Sequence, residues 1–176
     1  AIGDLNAHFA SENTVFEAIE LDSGCSGDVA GPAAQTLVDS GVVAVVGAAC
    51  SGASMGANAI LSAAGIPMIS YASTNPGLSD EAVYPHFYRV VPSDAIQGPA
   101  GAAMMADAGV TNESLAILHM TNDYGSGLAD SIKTAWEADG SLCSAGMQGY
   151  EETTTNFDAM VANITDATDC NAVYLS

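Results

Sequence analysis

The apolar positions of this chain fall into short hydrophobic runs separated by stretches with helical spacing. The clearest case is the segment 41–76, in which the runs VVAVVG (42–47) and IPMIS (66–70) flank the helix-compatible stretch 53–64. Short runs rich in Val and Ile, with a helical stretch between them, are typical of a strand–helix–strand unit with parallel strands. The pattern therefore predicts an α/β fold.

The same alternation predicts the other elements of the chain. Helical spacing predicts further helices over 1–12, 29–40, 95–108, 128–138 and 156–164. Short apolar or alternating runs predict further strands over 15–22, 87–91, 114–120, 142–150 and 171–176. The Gly-rich stretch NDYGSG predicts a turn just before the helix 128–138. Because Pro85 and Pro92 bracket one strand and stop it from continuing, we place a domain crossover at residues 91–94.

The predicted strands are too few for two complete lobes. A doubly wound lobe usually has about five parallel strands, whereas the pattern predicts four before the crossover and three after it. The chain also opens on a predicted helix and stops within an apolar run. We therefore expect a partial copy of a two-lobed fold, with residues 1–91 as lobe I lacking its N-terminal strand and residues 92–176 as the start of an incomplete lobe II.

Small polar residues follow the two strands of the central unit. The first strand runs into ACSG, which contains Ser51, and the second runs into YASTNP, which contains Thr74. Parallel strands end at the same sheet edge, where α/β proteins bind ligands. Free backbone N–H groups at helix starts favour anions, carboxylates included. We expect both hydroxyls to face one cavity that seats a small anionic group, although each residue also suits a helix N-cap.

Charge excludes one class of partner. The chain of 176 residues carries two basic residues, Arg89 and Lys133, against 21 acidic ones, for a net charge of −19. A nucleic-acid-binding protein needs a cationic face to neutralise phosphates, and an anionic membrane surface attracts basic segments in the same way. We therefore expect no nucleic acid partner, and no apolar run reaches the length of a membrane span.

The cysteines favour an oxidising compartment. Cys25, Cys50, Cys143 and Cys170 form no CxxC pair, and the histidines are scattered, which argues against a zinc site. An even number of widely spaced cysteines suits two disulfides, although four buried free thiols in a cytosolic protein remain the alternative. Cys25 and Cys50 each follow a predicted strand, so a bridge between them is geometrically reasonable. A Cys143–Cys170 bridge is a weaker possibility.

Four stretches of the chain carry a family resemblance: VVAVVGAACSGAS, GIPMISYASTNPGLSD, FYRVVPSDAIQGPA and NDYGSGLADSIKTAWEADG. They resemble the type I periplasmic solute-binding proteins of the leucine/isoleucine/valine-binding kind, and the related ligand-binding domains of class C receptors. The resemblance implies two doubly wound lobes joined by a hinge that close over an amino acid. It further implies a periplasmic or extracellular protein, either free or anchored to a membrane through another segment, that serves the permease of an ABC transporter without cofactor, metal or catalysis.

The resemblance also assigns roles to particular residues. In the family, the ligand carboxylate is held by groups that fall here on Ser51, Ala72 and Thr74. A hinge acid that contacts the ammonium in the receptor relatives falls on Asp94, and an aromatic that lies against the ligand falls on Tyr124. The family disulfide near the cleft falls on the first two cysteines. Asp94 also suits a helix N-cap, and Tyr124 a half-buried loop aromatic.

Two further functions compete with the binding of a zwitterionic solute, for which the small, uncharged lining named so far suggests an aliphatic amino acid. One is an amino-acid-sensing receptor ectodomain with the same fold. The other is a serine hydrolase, because residues 52–56 match G-x-S-x-G and Ser54, Asp94 and His119 occur in the order of a triad. That motif requires the serine on the tight turn directly after its strand, whereas the strand here is predicted to end at Gly47.

Overall fold

Helices and parallel strands alternate along the chain in a computed structural model that describes residues 2–176. Residue 1, at the start of the predicted helix 1–12, lies outside the described residues. The helices are α1 (Ile2–His8), α2 (Gly27–Asp39), α3 (Ser51–Ala63), α4 (Asp94–Asp107), α5 (Asp123–Trp136) and α6 (Asp158–Asp166). The strands are β1 (Val45–Val46), β2 (Met68–Ser70), β3 (Phe87–Arg89), β4 (Leu115–Met120), β5 (Met147–Tyr150) and β6 (Ala172–Leu175). Short 3-10 helices cover Ala10–Glu12 and Pro76–Ser79.

The strands form two separate sheets of three. The first sheet has the order β1-β2-β3 and the second the order β5-β4-β6. Every pairing among these six strands is parallel. The predicted α/β fold with parallel sheets is therefore confirmed.

Each sheet packs on a pair of helices through its own apolar core. In the first half, small side chains let α2 and α3 pack closely over the first sheet, and the buried cluster is Ala30, Ala34, Ala53, Ala57, Leu61 and Met68. In the second half, α4 and α5 cover the second sheet with larger side chains, and the buried cluster is Ala102, Leu115, Ile117, Leu128, Ala129, Ile132 and Trp136. Each sheet therefore has its own apolar core, which supports the loops at the ends of its strands.

Two disulfides pin loops near the ends of these elements. Cys25 pairs with Cys50, which joins the start of α2 to the start of α3. Cys143 pairs with Cys170, which joins the segments that precede β5 and β6. The first disulfide therefore holds two helix starts together at one edge of the first sheet.

The structure corrects two predictions. The strand predicted over 15–22 is wrong, because these residues form no strand and its apolar side chains Val15, Ile19 and Leu21 are exposed. Within residues 2–176, β1 is an edge strand that pairs with β2 alone, and alternation by itself cannot make a strand without a neighbour. The turn predicted for NDYGSG is also wrong, because α5 already begins at Asp123. Asn122 caps that helix, and its Oδ1 accepts a hydrogen bond from the backbone N–H of Gly125 at 2.8 Å.

Gly56 tests the close packing of α2 on α3. A Cβ at this position would lie 2.5 Å from both Cα and O of Gly27, so the two helix backbones would have to separate. We expect Gly56→Ala to lower the free energy of unfolding by about 1–3 kcal/mol, as overpacked cores do. Chemical denaturation monitored by circular dichroism measures the change.

Gly101→Ala in α4 is the matched control. Its Cβ would make only ordinary contacts, the nearest at 3.6 Å from the ring of Tyr174. Helix propensity then favours alanine by up to about 1 kcal/mol, so we expect unchanged or higher stability. A Gly56→Ala protein as stable as the Gly101→Ala protein would contradict the packing described for α2 and α3.

Candidate functional site

Three serine hydroxyls lie close to one backbone carbonyl oxygen where β1 and β2 end. The oxygen of Ala48, just after β1, accepts a hydrogen bond from the hydroxyl of Ser70 at 2.5 Å and lies 3.2 Å from the hydroxyls of both Ser54 and Ser73. The hydroxyls of Ser54 and Ser73 also bond to each other at 2.8 Å. All three serine side chains are buried, so this network exchanges little with water and fixes the loop after β2 against the loop after β1.

The network also includes Ser54, the serine of the G-x-S-x-G match. Ser54 is fully buried inside α3, and its hydroxyl is shared between Ala48 and Ser73. A hydrolase nucleophile of this motif instead stands exposed on a strained strand-to-helix turn. His119 lies in β4, where its Nδ1 is 2.8 Å from the carbonyl oxygen of Met120. Ser54 therefore has the environment of a structural serine.

The same edge brings Ser51 next to the segment that carries Thr74. Ser51 is the first residue of α3, and its Oγ accepts a hydrogen bond from the backbone N–H of Asn75 at 3.2 Å. The hydroxyl of Thr74 donates to Oδ2 of Asp94 at 2.7 Å, and the N–H of Asp94 donates to the carbonyl of Thr74 at 2.9 Å. The N-caps of α3 and α4 are Cys50 and Ser93. Ser51 and Asp94 thus begin their helices without occupying the cap position.

A cleft of about 750 Å³ opens between the two sheets at this edge. Its first wall comes from the starts of α2 and α3 and the loop after β2, and consists of Cys25, Ser26, Gly27, Ala49, Cys50, Ser51, Gly52 and Ala72. Its second wall comes from the ends of β4 and β5 and the start of α5, and consists of Met120, Thr121, Asn122, Asp123, Tyr124, Glu151, Glu152 and Thr153.

The cleft collects three of the five expected ligand residues. Ser51, Ala72 and Tyr124 line it, whereas Thr74 and Asp94 are not among its lining residues. Asp94 is fully buried behind the cleft, bonded to Thr74. Tyr124 lies in the first turn of α5 and is 36% exposed.

The two walls of the cleft differ in charge. The first wall carries no ionisable side chain apart from the disulfide-bonded cysteines and presents the N-terminal ends of α2 and α3. Such ends carry unpaired N–H groups and the positive pole of the helix. The second wall carries the carboxylates of Asp123, Glu151 and Glu152, and neither Arg89 nor Lys133 lines the cleft. The cleft is therefore polarised from one side to the other.

Sequence reasoning missed the acidic wall. Glu151 and Glu152 directly follow β5, just as Ser51 and Thr74 follow their strands, so the rule of polar residues at strand ends could have found them. Glu152 is also held in place, because its Oε1 accepts a hydrogen bond from Nδ2 of the helix cap Asn122 at 2.5 Å. The lining is thus less neutral than the small residues of the first wall suggested.

Three contacts join the two halves of the chain near the cleft. Nδ2 of Asn75 donates to the carbonyl oxygen of Asp123 at 2.5 Å. The carboxylate of Asp123 lies against Gly52, where any Cβ would collide with it. Farther along, the hydroxyl of Ser131 donates to the carbonyl oxygen of Asp94 at 2.6 Å.

Burial perturbs the acid behind the cleft. Loss of hydration raises the pKa of Asp94, opposed by the hydrogen bond from Thr74 and the positive charge of Arg89. Oδ1 of Asp94 is buried and has no hydrogen-bond partner among the described residues. Burial likewise raises the pKa of Tyr124, with smaller contributions from Asp94 and Tyr174.

Asp94→Asn tests this environment through the pH dependence of stability. A carboxyl whose pKa is raised by folding contributes stability at acidic pH and loses it as pH rises through the folded pKa. As pH rises from below the ordinary Asp value of 3.8 towards neutrality, we therefore expect Asp94→Asn to become more stable relative to the parent, so that its free energy of unfolding increases compared with that of the parent. Urea unfolding across this pH range measures the difference.

Asp169→Asn should show the opposite trend. Ser144 donates to Asp169 from its N–H at 2.8 Å and its hydroxyl at 2.6 Å, and these bonds lower the pKa of Asp169. The parent should hold its advantage over Asp169→Asn at neutral pH and lose it as pH falls. Parallel curves for the two variants would contradict the assignment of opposite shifts.

The described residues contain no helix long and apolar enough to cross a membrane. Within residues 2–176, no group of three or more His, Cys, Asp or Glu side chains is arranged to hold a metal ion.

Comparison with known proteins agrees with this architecture. The leucine-specific-binding protein of Salmonella typhimurium is 30% identical over 164 residues, which are 93% of this chain and 44% of that protein. The metabotropic glutamate receptor-like protein E of Dictyostelium discoideum is 36% identical over 104 residues, which are 59% of this chain and 12% of that receptor. This chain therefore spans less than half the length of these relatives.

Solved structures share the fold. The branched-chain amino acid transporter substrate-binding protein LivJ of Streptococcus pneumoniae, solved in complex with isoleucine, superposes with a TM-score of 0.80 at 23% identity, over 99% of this chain and 48% of that one. A profile described as the receptor family ligand binding region matches residues 1–174. With two parallel sheets facing one polarised cleft, the chain belongs to this family of receptor ligand-binding regions, among relatives that include branched-chain amino acid binding proteins.

Proposed function

We propose that this cleft binds the zwitterion of an α-amino acid, with the carboxylate on the first wall and the ammonium towards the second. The observation that carries the proposal is the polarity of the cleft: uncharged helix starts form one wall, whereas the other wall combines the start of α5 with three carboxylates. A zwitterion is the simplest small solute whose charges match both walls at once. The binding is non-catalytic, in keeping with relatives that are named as binding proteins.

The first wall supplies the carboxylate site. Ser51 and Gly52, at the start of α3, line the cleft, and the first N–H groups of a helix have no acceptor within the helix. The hydroxyl of Ser51 can donate to an anion while it accepts from Asn75. Ala72 adds backbone groups from the end of β2. Hydrogen bonds to a charged acceptor are about twice as strong as neutral ones, so a few donors suffice to hold a carboxylate. Thr74 does not line the cleft, and its hydroxyl and carbonyl both bond to Asp94.

The second wall supplies the ammonium site and the aromatic contact. Glu151 and Glu152 give an ammonium two nearby carboxylates, and Glu152 is already oriented by Asn122. Tyr124 adds an aromatic side chain to the same wall. Asp94 acts from behind the lining, because its buried charge adds to the negative potential near Tyr124. A single-sign wall in a concave site raises the local concentration of cations.

The proposed role of the full-length protein is delivery of the amino acid to the permease of an ABC transporter from the periplasm or the cell exterior. Support comes from relatives that are named as leucine-specific and leucine/isoleucine/valine-binding proteins. The two disulfides fit an oxidising compartment.

A receptor ectodomain that senses amino acids is the second candidate. It is favoured by the 36% identity to the metabotropic glutamate receptor-like protein over 104 residues. The two roles share the binding chemistry and differ in the partner that responds to the loaded protein. Stimulation of an ATPase by the amino acid-loaded protein in permease-containing vesicles supports delivery, and its absence with an intact binder supports sensing.

Ligand chemistry tests the polarity of the cleft. Isothermal titration of the full-length protein with leucine, N-acetyl-leucine and isoamylamine compares a zwitterion with molecules that lack its ammonium or its carboxylate. We expect leucine to bind with one site per chain and each analogue to bind at least about tenfold more weakly, because each leaves one wall unmatched. Equal affinity for leucine and either analogue would contradict the proposal.

Two substitutions test which wall holds the carboxylate of the ligand and which holds its ammonium. Ser51→Ala should weaken leucine binding by about 1 kcal/mol, roughly fivefold in Kd, through the lost hydroxyl. Glu152→Gln should weaken leucine binding and leave the affinity for N-acetyl-leucine unchanged, because only leucine carries the ammonium. Glu81→Gln, an exposed acid that does not line the cleft, is the charge-matched control and should bind like the parent.

A further inference from the structure

The side chain of Arg89 contacts both ends of the segment 73–79. It is the last residue of β3 and pairs in register with Ser70, the last residue of β2. Its Nη1 donates to the carbonyl oxygens of Asn75 at 2.9 Å and Ser73 at 3.4 Å. Its Nη2 donates to the hydroxyl of Ser79. A single side chain thus gathers the segment 73–79, which regular strand pairing leaves unsupported after Ser70.

The same segment contacts both walls of the cleft, although none of residues 73–79 lines it. Asn75 donates its N–H to Oγ of Ser51 and its side-chain amide to the carbonyl of Asp123 on the second wall. The carbonyl that Arg89 holds belongs to this same residue, Asn75. A shift of the loop would therefore move the hydroxyl partner of Ser51 and the contact between the walls together. Arg89 itself does not line the cleft.

Two roles of the guanidinium have to be distinguished. Its charge partly opposes the rise in the pKa of Asp94 that burial causes, although no ion pair between them is formed among the described residues. Its planar fork instead meets three oxygens in different directions, which an ammonium on a flexible stem cannot reproduce. The contacts are to carbonyl and hydroxyl oxygens of the loop, so the fork accounts for the observed geometry and the charge alone does not.

We propose that Arg89 is a positioning residue for the ligand carboxylate site, acting by locking the segment 73–79 against Ser51 through its guanidinium fork. The inference rests on the proposed function for its effect on affinity. Its effect on the loop is independent of any ligand.

The affinity for leucine distinguishes the role of the guanidinium fork of Arg89 from the role of its positive charge. We expect both Arg89→Lys and Arg89→Gln to raise the Kd for leucine by about tenfold or more, because neither side chain spans the three acceptors. Lys133→Gln makes the same charge change as Arg89→Gln at a partly exposed pair with Glu137 on α5 and should keep the parental Kd. A parental Kd for Arg89→Lys would overturn the proposal, because the charge facing Asp94 would then be sufficient.

Hydrogen exchange of the Asn75 amide, measured without ligand, provides the readout that a general loss of stability would not produce. We expect faster exchange at Asn75 in both Arg89 variants than in Lys133→Gln, with parental protection at Ile117 in the core strand β4. Unchanged exchange at Asn75, or equal acceleration at Ile117, would overturn the proposal. If the parent protein binds no amino acid, the proposed function fails, while this exchange experiment still decides the role of Arg89.

Discussion

The carbonyl oxygen of Ala48 is the point on which the first wall of the cleft depends. Three buried serine hydroxyls converge on it, one from α3 and two from the end of β2 and its following loop. This junction fixes the loop after β1 relative to the loop after β2. With it, the start of α3 and the segment around Asn75 are held close enough for Ser51 to accept a hydrogen bond from the backbone beyond Thr74. Buried and mutually satisfied polar groups of this kind fix one geometry.

The second half of the chain uses the same construction with different chemistry. There, too, residues after parallel strands and at a helix start face the cleft, but they are acids and an asparagine cap. The two walls are therefore alike in architecture, but only the second carries charged side chains. That difference suits a solute with two unlike charged ends better than a simple anion or an apolar molecule. Contacts of Asn75 and Gly52 with Asp123 set how near the walls approach in this structure.

The sequence predicted the architecture better than the details of the site. Hydrophobic runs located β1, β2 and the helix between them, because each is bounded by small polar residues. The strand expected over 15–22 was wrong, since alternation does not reveal whether a neighbouring strand is available to pair with. The sequence pattern places the start of α5 too late, because the glycines of NDYGSG are typical of a turn, whereas here they lie in a helix that Asn122 caps. The location of Asp94 behind Thr74, and the inclusion of Glu151 and Glu152 in the lining, depend on how two distant segments meet. No local pattern contains that information.

We propose that the N–H groups at the start of α3 hold the carboxylate of an amino acid. Amide chemical shifts of Ser51 and Gly52 in the full-length protein, measured by NMR as leucine and then isoamylamine are added in separate titrations, test it most directly. We predict saturable shifts of both amides with leucine and none with the amine, which lacks the carboxylate. Shifts of equal size with the amine, or leucine binding that leaves both amides unchanged, would contradict the claim.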